Sequence, residues 1–231
     1  MTQEHAELSA RLAKWRRRLD EARPGVEICA ATKMQSPEQI NPLLELGVRR
    51  IGENRVQELC EKADRLNPAF RVDIIGHLQT NKVKYIVGHV DRVQSVDSPE
   101  LAQALSARFS AAGRNLGVLV QVNIAQERQK HGVCESSLMP LAELVASLPG
   151  LRLEGLMAIM PIAPDPEELR PLFRRMRLWY ERLQQESFGE HVDTLSMGMS
   201  GDCLVAAQEG ATMVRLGTAL FGARPRPAPQ E

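Results

Sequence analysis

Residues 26–39 read VEICAATKMQSPEQ, a short run of β-branched and small apolar residues followed at once by a helix start. Val26 to Thr32 suits a buried strand. In Ser36-Pro37-Glu38-Gln39, Ser36 can cap, Pro37 fits the first helical position, and Gln39 can bond back to close a capping box. Strand hands over to helix at Lys33, and an ammonium there needs a chemical reason. Outward from this point the same alternation repeats. Short apolar runs fall at 26–32, 48–51, 71–75, 90–96, 116–124, 151–160, 191–195 and 212–216. Helix-like stretches lie between them near 37–46, 54–65, 80–87, 98–112, 136–147, 167–186 and 201–209, and 218–222 is too short to type. Asp97-Ser98-Pro99-Glu100 starts one helix, and Gly113 and Gly210 follow the ends of two others. Ahead of all this, Leu8, Leu12, Trp15 and Leu19 recur at helical spacing within 4–22.

Eight strands alternating with helices predict an α/β protein, a single (β/α)8 TIM-type barrel with an additional N-terminal helix. The barrel domain is expected over 1–222, with the extra helix inside 1–25, and the Pro-rich tail 223–231 is expected to be disordered. A doubly wound open sheet is the alternative. It would usually carry a Gly-rich turn after its first strand, where this chain has Lys33-Met34-Gln35.

Composition narrows the function. The chain has 231 residues, 43% of them hydrophobic, enough for a substantial core. Lys+Arg and Asp+Glu are both 29, so the net charge is zero and a nucleic-acid partner is not expected. No run approaches the ~18 apolar residues of a membrane span, and the start lacks the apolar stretch of a signal peptide. A cytoplasmic, membrane-free protein is expected. Four cysteines form no CxxC pair, and Cys29 and Cys203 read as buried free thiols. The five histidines show no HxH or HExxH spacing, so no metal site is expected.

In a barrel the chemistry gathers at the carboxyl ends of the strands. Those ends carry Lys33, Glu53-Asn54, Gly76-His77, Asp97, Asn123, Met157 to Met160, SMGMSGD (196–202) and RLGT (215–218). Loops seven and eight often build a phosphate site in such folds. Gly198 and Gly201 admit close backbone approach, Ser200 offers a hydroxyl and a helix cap, and a helix starting near Gly201 would aim free N–H groups at an anion. Gly217 and Thr218 can do the same from the next loop. A lysine at this mouth, partly desolvated, can attack a carbonyl to form a Schiff base. A phosphate-bearing aldehyde satisfies both halves of the site, either a phosphosugar or pyridoxal 5′-phosphate (PLP). Arg215 could bind the phosphate or face a pyridine nitrogen.

The segments AATK (30–33), IGENRVQE (51–58), IGHLQTNK (75–82), VQSVDS (93–98), VQVNIAQERQKHG (120–132), LEGLMAI (153–159), LSMGMSGD (195–202) and MVRLGTALFG (213–222) occur in this order. Together they resemble the pyridoxal 5′-phosphate-binding homeostasis protein family, of the YggS/PROSC type. The resemblance runs from about Val26 to Gly222. It implies one barrel similar to the N-terminal domain of alanine racemase, a PLP fold of type III without the second domain, with the cofactor held as an internal aldimine on Lys33. It places Asn54 against the cofactor, Ser200, Gly201, Gly217 and Thr218 around the phosphate, and Arg215 facing the pyridine nitrogen. Three positions depart from the family pattern: Thr32 stands for Ser, Ile51 for Phe, and VDIIGHLQ (72–79) for an aromatic-rich WHFIGHLQ.

The resemblance implies intracellular PLP homeostasis, with apo-enzymes as acceptors. The residues also favour a carrier or reservoir over a catalyst. An arginine facing the pyridine nitrogen keeps that nitrogen unprotonated, which makes a poorer electron sink. Racemases of this geometry supply a tyrosine from a second domain and partner subunit. Tyr85 and Tyr180, the only tyrosines, both fall inside helical stretches. A monomer is expected for the same reason. His77 is the one rim group that could act as acid or base. The alternatives are a racemase-like enzyme and a Schiff-base phosphosugar lyase using Glu53 or His77 as proton shuttle. Lys130, in QERQKHG, is a candidate for taking up PLP transiently as it leaves Lys33.

Overall fold

A computed structural model describes residues 3–222, and the tail at 223–231 lies outside them. Its centre is a closed barrel of eight parallel strands in chain order. They are β1 Glu27–Ala31, β2 Arg50–Glu53, β3 Arg71–Ile74, β4 Arg92–Val96, β5 Leu116–Val122, β6 Leu151–Ala158, β7 Thr194–Ser196 and β8 Met213–Leu216. Closure is made by β1 and β8, with Cys29 opposite Arg215 and Ala30 opposite Leu216. All eight apolar runs therefore became strands, as the alternation predicts.

The outer layer departs from the expected helices in ways the sequence explains. The stretch at 37–46 splits into α2 (Pro37–Ile40) and α3 (Pro42–Glu45), because Pro42 cannot donate to the preceding turn. The expected helix at 80–87 is a 3-10 helix, Thr80–Tyr85. Its buried Val83 and Ile86 lie three apart, the spacing at which that tighter helix stacks side chains. Downstream of β2, α4 covers Val56–Lys62. The helix expected from Gly201 begins two residues later, as α8 (Cys203–Gln208), after α5 (Pro99–Ala111), α6 (Glu135–Ser147) and α7 (Arg170–Gln184). The untyped end is a single helical turn, α9 (Thr218–Phe221). Ser98 caps α5 as predicted, its hydroxyl accepting from the Leu101 N–H at 3.2 Å.

The N-terminal helix α1, Gln3–Ala22, lays Leu8, Leu12 and Leu19 against the body next to α8 and α9. Between barrel and helices the apolar core is continuous, and Phe109, Phe173, Leu43 and Leu59 are wholly buried in it. Each such side chain contributes about 2–3 kcal/mol of transfer free energy. Cys29 and Cys203 are buried free thiols, as read from the sequence, while Cys60 and Cys134 are exposed.

The barrel interior is not the usual apolar packing. Asp73, Gln94, Ser196 and Arg215 fill it and are buried. Arg215 Nη1 donates to Ser196 Oγ at 2.7 Å, Ser196 Oγ donates to Gln94 Oε1 at 2.7 Å, and Gln94 Nε2 donates to Asp73 Oδ2 at 2.6 Å. Below, Arg50 Nη1 reaches Asp73 Oδ1 at 2.7 Å and Arg50 Nε reaches Glu27 Oε1 at 3.0 Å. The chain of bonds runs from the carboxyl rim to the opposite end of the barrel, with neutral Ser196 and Gln94 between Arg215 and Asp73 and alternating charge from Asp73 through Arg50 to Glu27.

Strand β6 bends at Gly155, where the register against β5 shifts between Val118 and Leu119. Gly155 has φ +146°, and a Cβ there would overlap the Thr194 carbonyl oxygen. Gly155→Ala should therefore lower stability by about 2–4 kcal/mol. A urea unfolding curve checks this, and a midpoint equal to that of the unchanged protein would refute the steric account.

Candidate functional site

Lys33 sits in the turn that follows β1, half-buried, between buried Thr32 and exposed Met34. The turn is held from behind. The Thr32 hydroxyl donates to the buried Glu53 carboxylate at the end of β2. Lys62, on α4 and nearly inaccessible, extends its ammonium to the Thr32 carbonyl at 3.0 Å, Glu53 at 2.7 Å and Glu58 at 3.1 Å. Glu58 also accepts from the Met34 N–H. Met34 itself has φ +62°, a conformation that β-carbon residues rarely adopt. One buried cation thus gathers the β1 turn, β2 and α4. Nothing in the sequence singled out Lys62, whose spacing reads as an ordinary exposed helix lysine.

The seven predicted cofactor residues fall on four consecutive strand ends of the closed barrel, β7, β8, β1 and β2. Asn54 follows β2 directly, and its side-chain Oδ1 is buried with no hydrogen-bond partner among the described residues. Gly217 packs under the Ala31 carbonyl, 3.4 Å from where its Cβ would be, so the β8 and β1 ends are in contact. The loops after β7 and β8 meet as well, since Ser200 Oγ accepts from the Ala219 N–H at 3.2 Å. Ser200 is therefore not the cap expected of it. Asp202 stands at that position, and its Oδ1 accepts from the Met199 N–H at 2.6 Å. Gly201 faces open space, with nothing within 4 Å of a Cβ added there. The backbone N–H groups of Ser200, Gly201 and Thr218 have no partner among the described residues.

Arg215 is wholly enclosed. Nη1 donates to the Ser196 carbonyl at 2.9 Å and to its hydroxyl, and Nη2 donates to the Ala158 carbonyl at 2.8 Å. Three of the five guanidinium donors are used, so two remain. No carboxylate lies within ion-pair distance of Arg215 among the described residues, and burial lowers its pKa from the usual arginine value. Burial likewise pushes the Glu53 carboxyl above the ordinary carboxylate range, against the pull of Lys62 and Thr32.

A loop pair with unpartnered backbone N–H groups, an amine one strand away, an unpaired amide oxygen and a buried guanidinium stand at neighbouring strand ends of the barrel. A phosphorylated aromatic aldehyde fits these donors: backbone N–H groups for the phosphate, the amine for the aldehyde, Arg215 for a ring nitrogen. The other candidate acid–base groups lie elsewhere. Tyr85 is exposed on its 3-10 helix, and Tyr180 is buried in α7 with its hydroxyl accepting from Gln184 Nε2 at 3.0 Å. His77 stacks on His131 in the next arc of the rim. Lys130 donates to the Met160 carbonyl at 3.0 Å and pairs with Glu127.

Fold and rim together define a barrel of the alanine racemase N-terminal domain class, and the sequence pattern of that domain matches residues 5–225. Closer relatives are more specific. The pyridoxal phosphate homeostasis protein of Aquifex aeolicus is 41% identical over 199 residues, covering 86% of this chain and 87% of the relative. That of Escherichia coli K12 is 38% identical over 205 residues, covering 86% of each. The chain belongs to the pyridoxal phosphate homeostasis protein family. PipY of Synechococcus elongatus, solved with PLP bound, superposes with a TM-score of 0.83 at 34% identity, over 93% of this chain and 100% of that one. Alanine racemase of Clostridium difficile shares the fold at a TM-score of 0.74 and 17% identity, over 91% of this chain and 58% of its own.

Removing the Lys62 ammonium leaves a buried Glu53 carboxylate without its cation. Lys62→Met should cost about 3 kcal/mol near neutral pH. The loss should shrink as pH falls from neutral through the raised Glu53 range toward the ordinary carboxylate pKa, because the folded variant keeps the Glu53 proton to higher pH than the unfolded chain does. Thermal unfolding between acid and neutral pH reads this directly, and adding Glu53→Gln should recover part of the loss. A pH-independent loss would show that the carboxylate is not its source.

Proposed function

We propose that this protein binds PLP at the rim formed by β7, β8, β1 and β2, covalently through Lys33, and serves as an intracellular carrier or reservoir of it. The observation that carries the reading is the contact between the β8 and β1 ends, which sets the unpartnered N–H groups of the phosphate loops beside the lysine turn. The PLP-bound PipY structure and the homeostasis proteins support it. The amine of Lys33 and the aldehyde of PLP would condense to a carbon–nitrogen double bond with loss of one water. PLP, when bound, supplies an electron sink.

The chain's own residues then position and protect. Ser200, Gly201, Gly217 and Thr218 take the phosphate through backbone N–H groups and hydroxyls. Asn54 offers its buried amide along the cofactor edge. Arg215, always charged and held by the Ser196 and Ala158 acceptors, donates to the ring nitrogen and keeps it unprotonated, which weakens the sink. Both tyrosines lie on outer-layer helices, and Glu53 Oε1 is committed to Lys62 and Thr32 behind the turn. That disposition supports holding over turnover, and the racemase-like and phosphosugar-lyase readings are left with His77, stacked on His131, and the buried Oε2 of Glu53 as proton shuttles. A monomer is proposed with this reading. Transfer through Lys130 would require it to leave Met160 and Glu127, and Lys130→Ala should then slow delivery to an apo-enzyme.

The visible spectrum of the purified protein tests the reading. We expect an absorption band that borohydride bleaches, a mass increase on Lys33 after reduction, and loss of both in Lys33→Ala. A protein that stays colourless when reconstituted with PLP would overturn it.

A further inference from the structure

Next to the proposed cofactor arc, the ends of β3, β4 and β5 bring together three side chains far apart in sequence. His77 and His131 stack with ring centroids 3.8 Å apart and planes 9° from parallel. Each presents its Nδ1 to one oxygen of Asp97, Oδ2, at 4.0 Å from His77 and 3.8 Å from His131. Those separations exceed hydrogen-bond length, so three good ligand atoms lie close together without bonding one another. Among the described residues this is the one group of three His, Cys, Asp or Glu whose donor atoms lie within 4.8 Å of each other.

The backbone under each ligand is fixed. Ser95 Oγ, two residues before Asp97, donates to the carbonyl of Gly76, the residue before His77, at 2.7 Å. Gln121 Nε2 donates to the His131 carbonyl at 3.1 Å. Asn123 Nδ2 closes the loop on Glu127 and Lys130 carbonyls at 2.8 and 3.2 Å, and Val133 rejoins β5 through its N–H to the Gln121 carbonyl at 2.9 Å. Gly132 has φ +117°, and a Cβ there would come within 2.6 Å of the Asn123 nitrogen, so the loop can lie this close only with glycine beside His131.

We propose that His77, Asp97 and His131 form a binding site for a divalent transition-metal ion, taking Zn²⁺ through two imidazole nitrogens and one carboxylate oxygen. Imidazole with carboxylate selects zinc and its neighbours in the first row, whereas calcium and magnesium require oxygen cages. Zinc bonds of about 2.0–2.2 Å at tetrahedral angles put donors about 3.4 Å apart, so the ligand atoms must draw in by about an ångström and the stacked rings must turn out of parallel to aim both lone pairs at the ion, side-chain rotations that the exposure of both imidazoles allows. Side-chain exposures of 41% for His77, 55% for His131 and 14% for Asp97 leave an entry path and an open fourth position for water. A bound ion would pin the loop that carries Lys130 to the neighbouring strand ends.

The test uses untagged, full-length protein stripped with chelator and titrated with Zn²⁺ against a chromophoric competitor, with Co²⁺ as spectroscopic probe. One Zn²⁺ per chain at micromolar affinity is expected, and Co²⁺ should give visible ligand-field bands. His131→Ala and Asp97→Asn should each weaken binding by at least about tenfold and abolish the bands. His191→Ala and Cys134→Ser should leave binding unchanged. Cys134 is the control that matters, because Ser136 and Ser137 lower its exposed thiol to about 7 and it lies three residues past His131. His131 is exposed and Asp97 largely buried, and circular dichroism checks that both variants fold. No binding in the micromolar range, binding that survives the His131 and Asp97 changes, or binding lost with Cys134→Ser would each overturn the proposal.

Discussion

A guanidinium without a counter-ion at its side sets the terms for this barrel. Arg215 can be buried only because Ser196 and the Ala158 carbonyl take its donors, and Ser196 can do so only because its own proton passes to Gln94. Gln94 in turn needs Asp73, and Asp73 needs Arg50. Polar atoms in a low-dielectric interior must all be satisfied together, so the network ties six strands to one another. A barrel core of this kind gives up apolar packing. It obtains an oriented cation at the rim, with two donors unspent.

The rim is held by a second buried charge. Lys62 fastens the turn that carries Lys33 from outside the barrel, so the reactive amine sits on a short segment tied to both β2 and α4. The two devices divide the labour. Arg215 belongs to the wall beneath the cofactor arc, while Lys62 governs the approach of the lysine turn. In the sequence Arg215 reads as a basic residue among apolar neighbours, whereas Lys62 reads as an ordinary helix lysine.

Much of the architecture was legible because strand and helix have different hydrophobic periods, and this chain keeps them apart. Eight apolar runs gave eight strands, and Ser98-Pro99 marked the start of α5 as its capping chemistry requires. Failures came where short-range backbone rules compete. Pro42 divided one expected helix, and the three-residue spacing of Val83 and Ile86 drew another into a 3-10 helix. The glycine-bearing loops after β7 and β8 do meet at the rim, although the N-cap position fell to Asp202 rather than Ser200. His77 and Asp97 were legible as rim residues, but their meeting with His131 was not, since the histidine test looks for spacing along the chain and these side chains come from three strand ends.

By itself the sequence determined the strand count, the order of the elements and the identity of the rim residues, because period and turn chemistry are local properties. Only the tertiary structure decided which of these meet. Closure of β1 on β8 is a long-range event, and it places Gly217 against Ala31 and so the phosphate loops beside the lysine turn. Closure likewise brings His77, Asp97 and His131 to one point and threads the polar chain from Arg215 to Glu27. Such contacts depend on shear and register around a ring, and no window along the chain contains them.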